Sequence, residues 1–85
     1  LTASAKAAVL ELLREYHETT ASGEEFVEVS RVKRDLAARG LGVTLEVLCD
    51  YVRWISENFE TEQARKVYLP NIAYDAETQS FMYMA

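Results

Sequence analysis

Apolar residues recur at three- and four-residue steps most strongly between Val43 and Phe59. Leu45, Leu48, Val52, Ile55 and Phe59 fall on one face of a predicted helix. A second stripe, Val47, Tyr51 and Trp54, runs beside the first. At about 100° per residue the two stripes cover roughly half or more of the circumference. Glu46, Asp50, Arg53 and Glu57 line the narrow wet remainder. Thr44 suits the N-cap, Glu46 suits the positive end of the helix dipole, and Val43 with Leu48 is spaced as a hydrophobic staple. A surface helix usually needs one stripe only. Two readings account for the second. Either the helix is central, with an element packed on each side, or Val47, Tyr51 and Trp54 stay partly exposed and bind a partner, as aromatic anchors do.

The same periodicity predicts a first helix over residues 3–18, rich in alanine and leucine, with Ser4 as N-cap. Val9, Leu12, Leu13 and Tyr16, with Ala5 in line, form its apolar stripe. Lys6, Glu11, Arg14, Glu15 and Glu18 face water. The helix fades in the small and β-branched residues before Gly23. Residues 24–30 then predict a short strand through Phe26, Val27 and Val29. Glu24, Glu25 and Glu28 read as a solvated acidic face of that strand. Ser30 caps a second helix over residues 31–39, with Val32 and Leu36 inward and Gly40 at the left-handed position past its end. After the third helix, residues 61–63 read as a loop.

The tail changes to a two-residue period. Val67 and Leu69, Ile72 and Tyr74, then Phe81 and Tyr83 alternate, with a turn at residues 75–78 between the arms of a hairpin. Pro70 removes one amide donor, which makes the first arm an edge strand or breaks it there. Met82 and Met84 alternate with Phe81 and Tyr83, so the last strand is apolar on both faces. It packs in the hairpin or, as an edge, pairs with another chain.

Composition narrows the function. A chain of 85 residues makes one domain, spanning residues 1–85, and its first residue, Leu1, fits a fragment of a longer protein. With 49% hydrophobic residues a core is available. No apolar run is long enough to cross a bilayer, and no signal peptide is visible. The formal net charge of −5 opposes non-specific nucleic-acid binding. Cys49 is the only cysteine and His17 the only histidine. That leaves no internal disulfide, no multi-histidine metal site and no ordinary Cys-His pair, and it fits an intracellular setting, cytoplasmic or nuclear. No Gly-rich phosphate loop is present. The expectation is a protein without catalytic activity, cofactor or metal.

The order helix, short strand, helix, tight turn, helix, hairpin resembles the winged helix-turn-helix family, an α+β fold in which the hairpin is the wing. Ala38, Gly42, Val43, Leu48 and Tyr51 carry the local match, with Thr44 at the start of the recognition helix. The resemblance implies that Ala38 lets the helices approach and that Gly42 permits the sharp turn. It also implies that Thr44, Leu45, Glu46, Cys49, Asp50 and Arg53 enter the major groove in DNA-binding members. Here Glu46 and Asp50 carry the wrong sign, and the wing turn carries Asp75 and Glu77. Many members of the family have become protein-binding modules within replication, transcription or repair assemblies. The first expectation is therefore a module that binds a protein partner or a second copy of itself through Val47, Tyr51 and Trp54, with Met82 and Met84 as a second surface. The alternative is a sequence-specific double-stranded DNA-binding transcriptional regulator, contacting DNA through Arg31, Lys33, Arg34, Arg39, Arg53, Arg65 and Lys66.

Overall fold

The computed structural model describes residues 1–19 and 26–84. Helix α1 spans Ala3–Thr19 and buries Ala5, Ala8, Val9, Leu12, Leu13 and Tyr16. These sit at helical steps on one face, as the periodicity predicts. Its cap is Thr2 rather than Ser4: the Thr2 hydroxyl accepts from the Ala5 amide at 3.1 Å, and the Thr2 carbonyl from Lys6 at 3.0 Å. The fading of the helix toward Gly23, and Glu24 and Glu25, lie outside the described residues.

Strand β1 is only Val27–Glu28, shorter than expected, because helix α2 (Val29–Ala38) begins at once. The Val29 amide donates to the Gln79 carbonyl at 2.9 Å, and its side chain turns fully inward. Ser30 therefore lies in the first turn of α2 instead of capping it, and its hydroxyl donates to Glu28 Oε2 at 3.4 Å. The end of α2 is a Schellman motif. Leu41 N–H donates to the Leu36 carbonyl at 2.9 Å, and Gly40 N–H to the Ala37 carbonyl at 3.0 Å, with Gly40 at φ 81°.

Helix α3 spans Leu45–Asn58, and the Thr44 hydroxyl accepts from the Val47 amide at 3.3 Å. Leu48, Cys49, Val52 and Ile55 are its buried residues. The expected loop at 61–63 is instead the start of a short helix, α4, at Glu62–Lys66. It buries no residue, so no apolar stripe announces it. Its entry is set by the Asn58 carbonyl, which accepts from the Thr61 hydroxyl at 2.8 Å and the Thr61 amide at 3.1 Å.

Strands β2 (Ile72–Asp75) and β3 (Ser80–Tyr83) form the antiparallel hairpin. The turn lies at residues 76–79, one residue later than expected, with Gln79 at φ 50°. Val67 and Leu69 belong to no strand; β2 starts only after Pro70, and it is an edge strand. The sheet order is β1–β3–β2. The last strand is thus central, not an edge, because β1 pairs with it through Val27↔Phe81 and Glu28↔Ser80. Its inner face, Phe81 and Tyr83, is buried; Tyr83 Oη donates to the Leu13 carbonyl of α1. The result is an α+β, winged-helix-like arrangement: helices over one face of a three-stranded antiparallel sheet, ending in a hairpin. Among the described residues no helix is long and apolar enough to cross a membrane.

Two glycines separate what the turn between α2 and α3 needs from what it was expected to need. Gly40 holds the positive φ, whereas Gly42 does not, and a Cβ on Gly42 would meet no atom within 4 Å. Ala38, expected between the helices, is exposed. Gly40→Ala is expected to destabilise the fold by about 1 kcal/mol, the cost of a left-handed L-residue. Gly42→Ala is expected to be neutral or to stabilise by up to about 1 kcal/mol, through lost freedom in the unfolded chain. Urea unfolding of both variants measures this. A larger loss at Gly42 would return the turn to that position.

Candidate protein-binding surface

Helix α3 meets the sheet and α2 with one side and the start of α1 with another. The centre of the first stripe, Leu48, Val52 and Ile55, is fully buried, and its ends, Leu45 and Phe59, are half-buried. The second is divided between the two readings of the sequence. Tyr51 and Trp54 are half-buried, packed on the core, with their rings stacked at 6.0 Å between centroids and 11° between planes. Lys6 of α1 places its ammonium 5.7 Å from the centre of the Tyr51 ring. Burial raises the Tyr51 phenol pKa. Val47, one turn nearer the helix start, is 38% exposed.

A groove follows this stripe. At its upper end an open cavity of about 370 Å³ is lined by apolar side chains that include Leu1, Ala5, Leu41, Val43 and Val47. Leu1, Lys6, Val47, Asp50 and Tyr51 line its continuation. Lys6, Tyr51, Trp54 and Gln63 line its far end, where α4 forms the wall. Within α3, from Val47 to Trp54, this is seven residue steps, or about 10 Å at helical rise. Leu1, Leu41 and Val43 join the three residues expected here. Sequence periodicity had no means of finding them, because they come from other elements.

The outward edge of α3 is acidic. Glu46 and Glu57 are exposed, and Asp50 is held by Arg53 at 3.1 Å. Of the positions that would enter a major groove, Leu45 is half-buried against the core and Cys49 is 7% exposed, under the wing. That leaves Thr44, Glu46, Asp50 and Arg53 outward, with one cation among them.

The other cations of the DNA-binding alternative are mostly matched internally. Arg31 stacks on the Tyr16 ring at 4.4 Å and lies 4.0 Å from Asp35. Arg34 reaches the same carboxylate at 3.7 Å. Arg39 bridges Glu11 at 3.4 Å and Glu15 at 3.2 Å. Lys66 faces Glu62 at 4.0 Å. Among the described residues, Lys33 and Arg65 have no such carboxylate. Exposed pairs of this kind contribute about 0–1 kcal/mol each to stability. Their consequence here is a surface whose basic residues are largely neutralised.

Met82 and Met84 lie elsewhere. They alternate with the inward Phe81 and Tyr83, so they face away from the helices; Met82 is half-buried and Met84 47% exposed. The groove along α3 does not reach them. His17 is exposed and stacks on Tyr83 at 4.6 Å. Comparisons with protein-family models, curated proteins and solved structures return no match.

Cys49 meets the wing at Tyr74, whose phenol pKa is pushed up to about 12, first by burial and then by the hydrogen bond to the Cys49 thiol. The ordinary phenol value is about 10. The folded state therefore holds this proton more tightly than the unfolded chain. Its contribution is fully present below a pH of about 10 and is lost as pH rises through the folded value. Stability measured by urea unfolding is expected to fall on the alkaline side. The fall should be shallower in Tyr74→Phe, with Tyr16 and Tyr83, whose phenols burial also raises, responsible for the remainder. Identical slopes in the two proteins would remove Tyr74 from the account.

Proposed function

We propose that the chain is a non-catalytic winged-helix module that binds another protein through the groove between α1 and α3. The observation that supports this reading is an open apolar groove, with Val47 at 38% exposure, running along an acidic helix edge. A partner side chain entering beside Val43 and Val47 removes apolar surface from water at about 25 cal/mol per Å². The stacked Tyr51 and Trp54 offer a rigid platform for a second anchor. The likeness in element order to winged helix-turn-helix proteins supplies the setting: an intracellular assembly that replicates, transcribes or repairs DNA. The partner is another protein or a second copy of the chain.

The acidic edge of α3 and the matched arginines weigh against the alternative, a double-stranded DNA-binding regulator. Phosphate neutralisation supplies most of the affinity in such complexes, and little unmatched positive charge is available for it.

The reading is tested by a photo-crosslinking residue at position 47 in cells, followed by affinity measurements with the captured partner. Val47→Glu is expected to weaken binding roughly tenfold or more. Its folding stability should stay within about 0.5 kcal/mol, as for an ordinary surface change. Trp54→Ala should weaken binding more than folding. Full affinity in both variants would show that the groove is not the interface. In fluorescence anisotropy with mixed duplex DNA at about 50 mM salt, no binding is expected. Tight binding that falls steeply with salt would install the DNA reading in its place.

A further inference from the structure

A second face of the molecule stands apart from the groove. The sheet covers the core with Val27, Phe81 and Tyr83 and turns its other face outward. On that face Met82 lies opposite Ala73, and Ser80 lies between Glu28 and Asp75 in one cross-strand row. Phe26, next to β1, is 56% exposed. Phe26, Glu28, Asp75, Thr78 and Ser80 line an open cleft of about 310 Å³.

We infer that this outer sheet face, with Phe26 and the flanking Glu28 and Asp75, docks a protein segment that presents an arginine between apolar side chains. It shares with the reading above only that the chain binds protein. The charge of the face selects the occupant. Among the described residues, the cleft lining contains two carboxylates and no cation. Elsewhere Glu11, Glu15, Asp35, Asp50 and Glu62 each have a cation of this chain within 4.0 Å. Glu28 and Asp75 have none among the described residues, like Glu18, Glu46, Glu57, Glu60 and Glu77, but these two alone face each other across a cleft beside an exposed aromatic ring; each accepts a hydrogen bond from its own surroundings, Ser30 Oγ at 3.4 Å and Glu77 N at 2.9 Å. An ionised carboxylate accepts at about four lone-pair positions, so both keep capacity for a ligand.

Geometry then favours arginine. Glu28 and Asp75 stand on the two strands that flank Ser80, so their Cα atoms are about 10 Å apart at the usual strand spacing. Two carboxylates are too few for a hard cation, which takes about six to eight oxygen ligands, and among the described residues no group of three or more metal-ligating side chains gathers. A guanidinium donates from both edges of its plane, toward two carboxylates, while its face stacks on an aromatic ring. Ser80 between them is small and only 3% exposed, and its hydroxyl is already engaged with Thr78 at 2.6 Å, so it forms a buried, satisfied floor under the two carboxylates. The segment's apolar residues cover Phe26 and Met82. A nucleic-acid occupant is opposed by the same two carboxylates.

The test uses the whole chain and a capped peptide, acetyl-Gly-Leu-Arg-Leu-Gly-amide, followed by amide NMR shifts. The control peptide replaces arginine by citrulline, which keeps the shape and loses the charge. The expected result is shifts centred on Phe26, Glu28, Asp75 and Ser80, and affinity roughly tenfold weaker for citrulline. Glu28→Gln and Asp75→Asn, which keep their hydrogen-bond acceptors, should each weaken binding several-fold, and Phe26→Ala likewise. Trp54→Ala should leave it unchanged, which keeps the outcome separate from that of the α3 groove. Equal binding of citrulline, indifference to Glu28→Gln and Asp75→Asn, or shifts centred on Tyr51 and Trp54 would overturn the inference. So would shifts that grow with protein concentration alone, which would make the occupant a second copy.

Discussion

Tyr83 ties the two ends of the chain together. Its hydroxyl donates to the Leu13 carbonyl inside α1, and its ring lies edge-on to Phe81 and stacked on His17. The bond to Leu13 spans seventy positions of sequence. These contacts require β3 to lie under the helices, and β3 lies there only as the middle strand, with β1 and β2 on either side. Once Phe81 and Tyr83 are committed to the core, the two-residue period of a strand puts Ser80 and Met82 on the other face of the sheet, where Met82 is half-buried and Ser80, beneath its neighbours, is 3% exposed. The surface chemistry of the sheet is therefore a consequence of a buried attachment. Buried Phe81 and Tyr83 and outward Met82 and Met84 belong to one decision about register, and a slip of one residue would exchange them.

Two-residue β1 shows how short a strand can be and still decide topology. Alone it would be worth nothing. It is held because Val29, immediately after it, is fully buried at the start of α2 and donates to Gln79 across the sheet. The chain turns from strand to helix between Glu28 and Val29, with the helix and the strand sharing the cost of ordering that junction. The same junction leaves Phe26 no place inside. Val27 takes the inward position opposite Phe81, so its neighbour in an extended chain points the other way.

The three long helices and the hairpin were legible because each carries a stripe or an alternation over many residues, and because Thr44 and Gly40 are unambiguous punctuation. Features without such a pattern were not. Helix α4 buries nothing, so it left no periodic trace. The central position of β3 depends on pairing with a strand of two residues, and periodicity contains no information about which strands are neighbours. The left-handed residue was read correctly at Gly40; only the turn role that the loose family pattern gave to Gly42 has no counterpart in the backbone. Val47, Tyr51 and Trp54 were legible as an excess of apolar surface on one helix. The walls that make the excess into a groove, Leu1, Leu41 and Gln63, come from three other segments and emerge only on folding.

Charge placement connects these points to function. A chain of net charge −5 has more carboxylates than it can match, so where the unmatched ones fall is informative. The arginines of α2 and its C-terminus sit against Tyr16, Asp35, Glu11 and Glu15, where they fasten α1 to α2. Among the described residues, the acids without a cation partner include Glu46 and Glu57 on the outer edge of α3 and Glu28 and Asp75 beside the exposed Phe26, besides Glu18, Glu60 and Glu77. A like-charged border around an apolar tract suppresses association with other acidic surfaces, the chain's own copies included, and raises the encounter rate with basic ones. In a helix-turn-helix that grips DNA, the positive charge lies on the recognition helix and the wing. Here the arginines of α2 and its C-terminus lie against acidic and aromatic groups of α1 and α2, and the outward edge of α3 and the hairpin turn carry carboxylates instead.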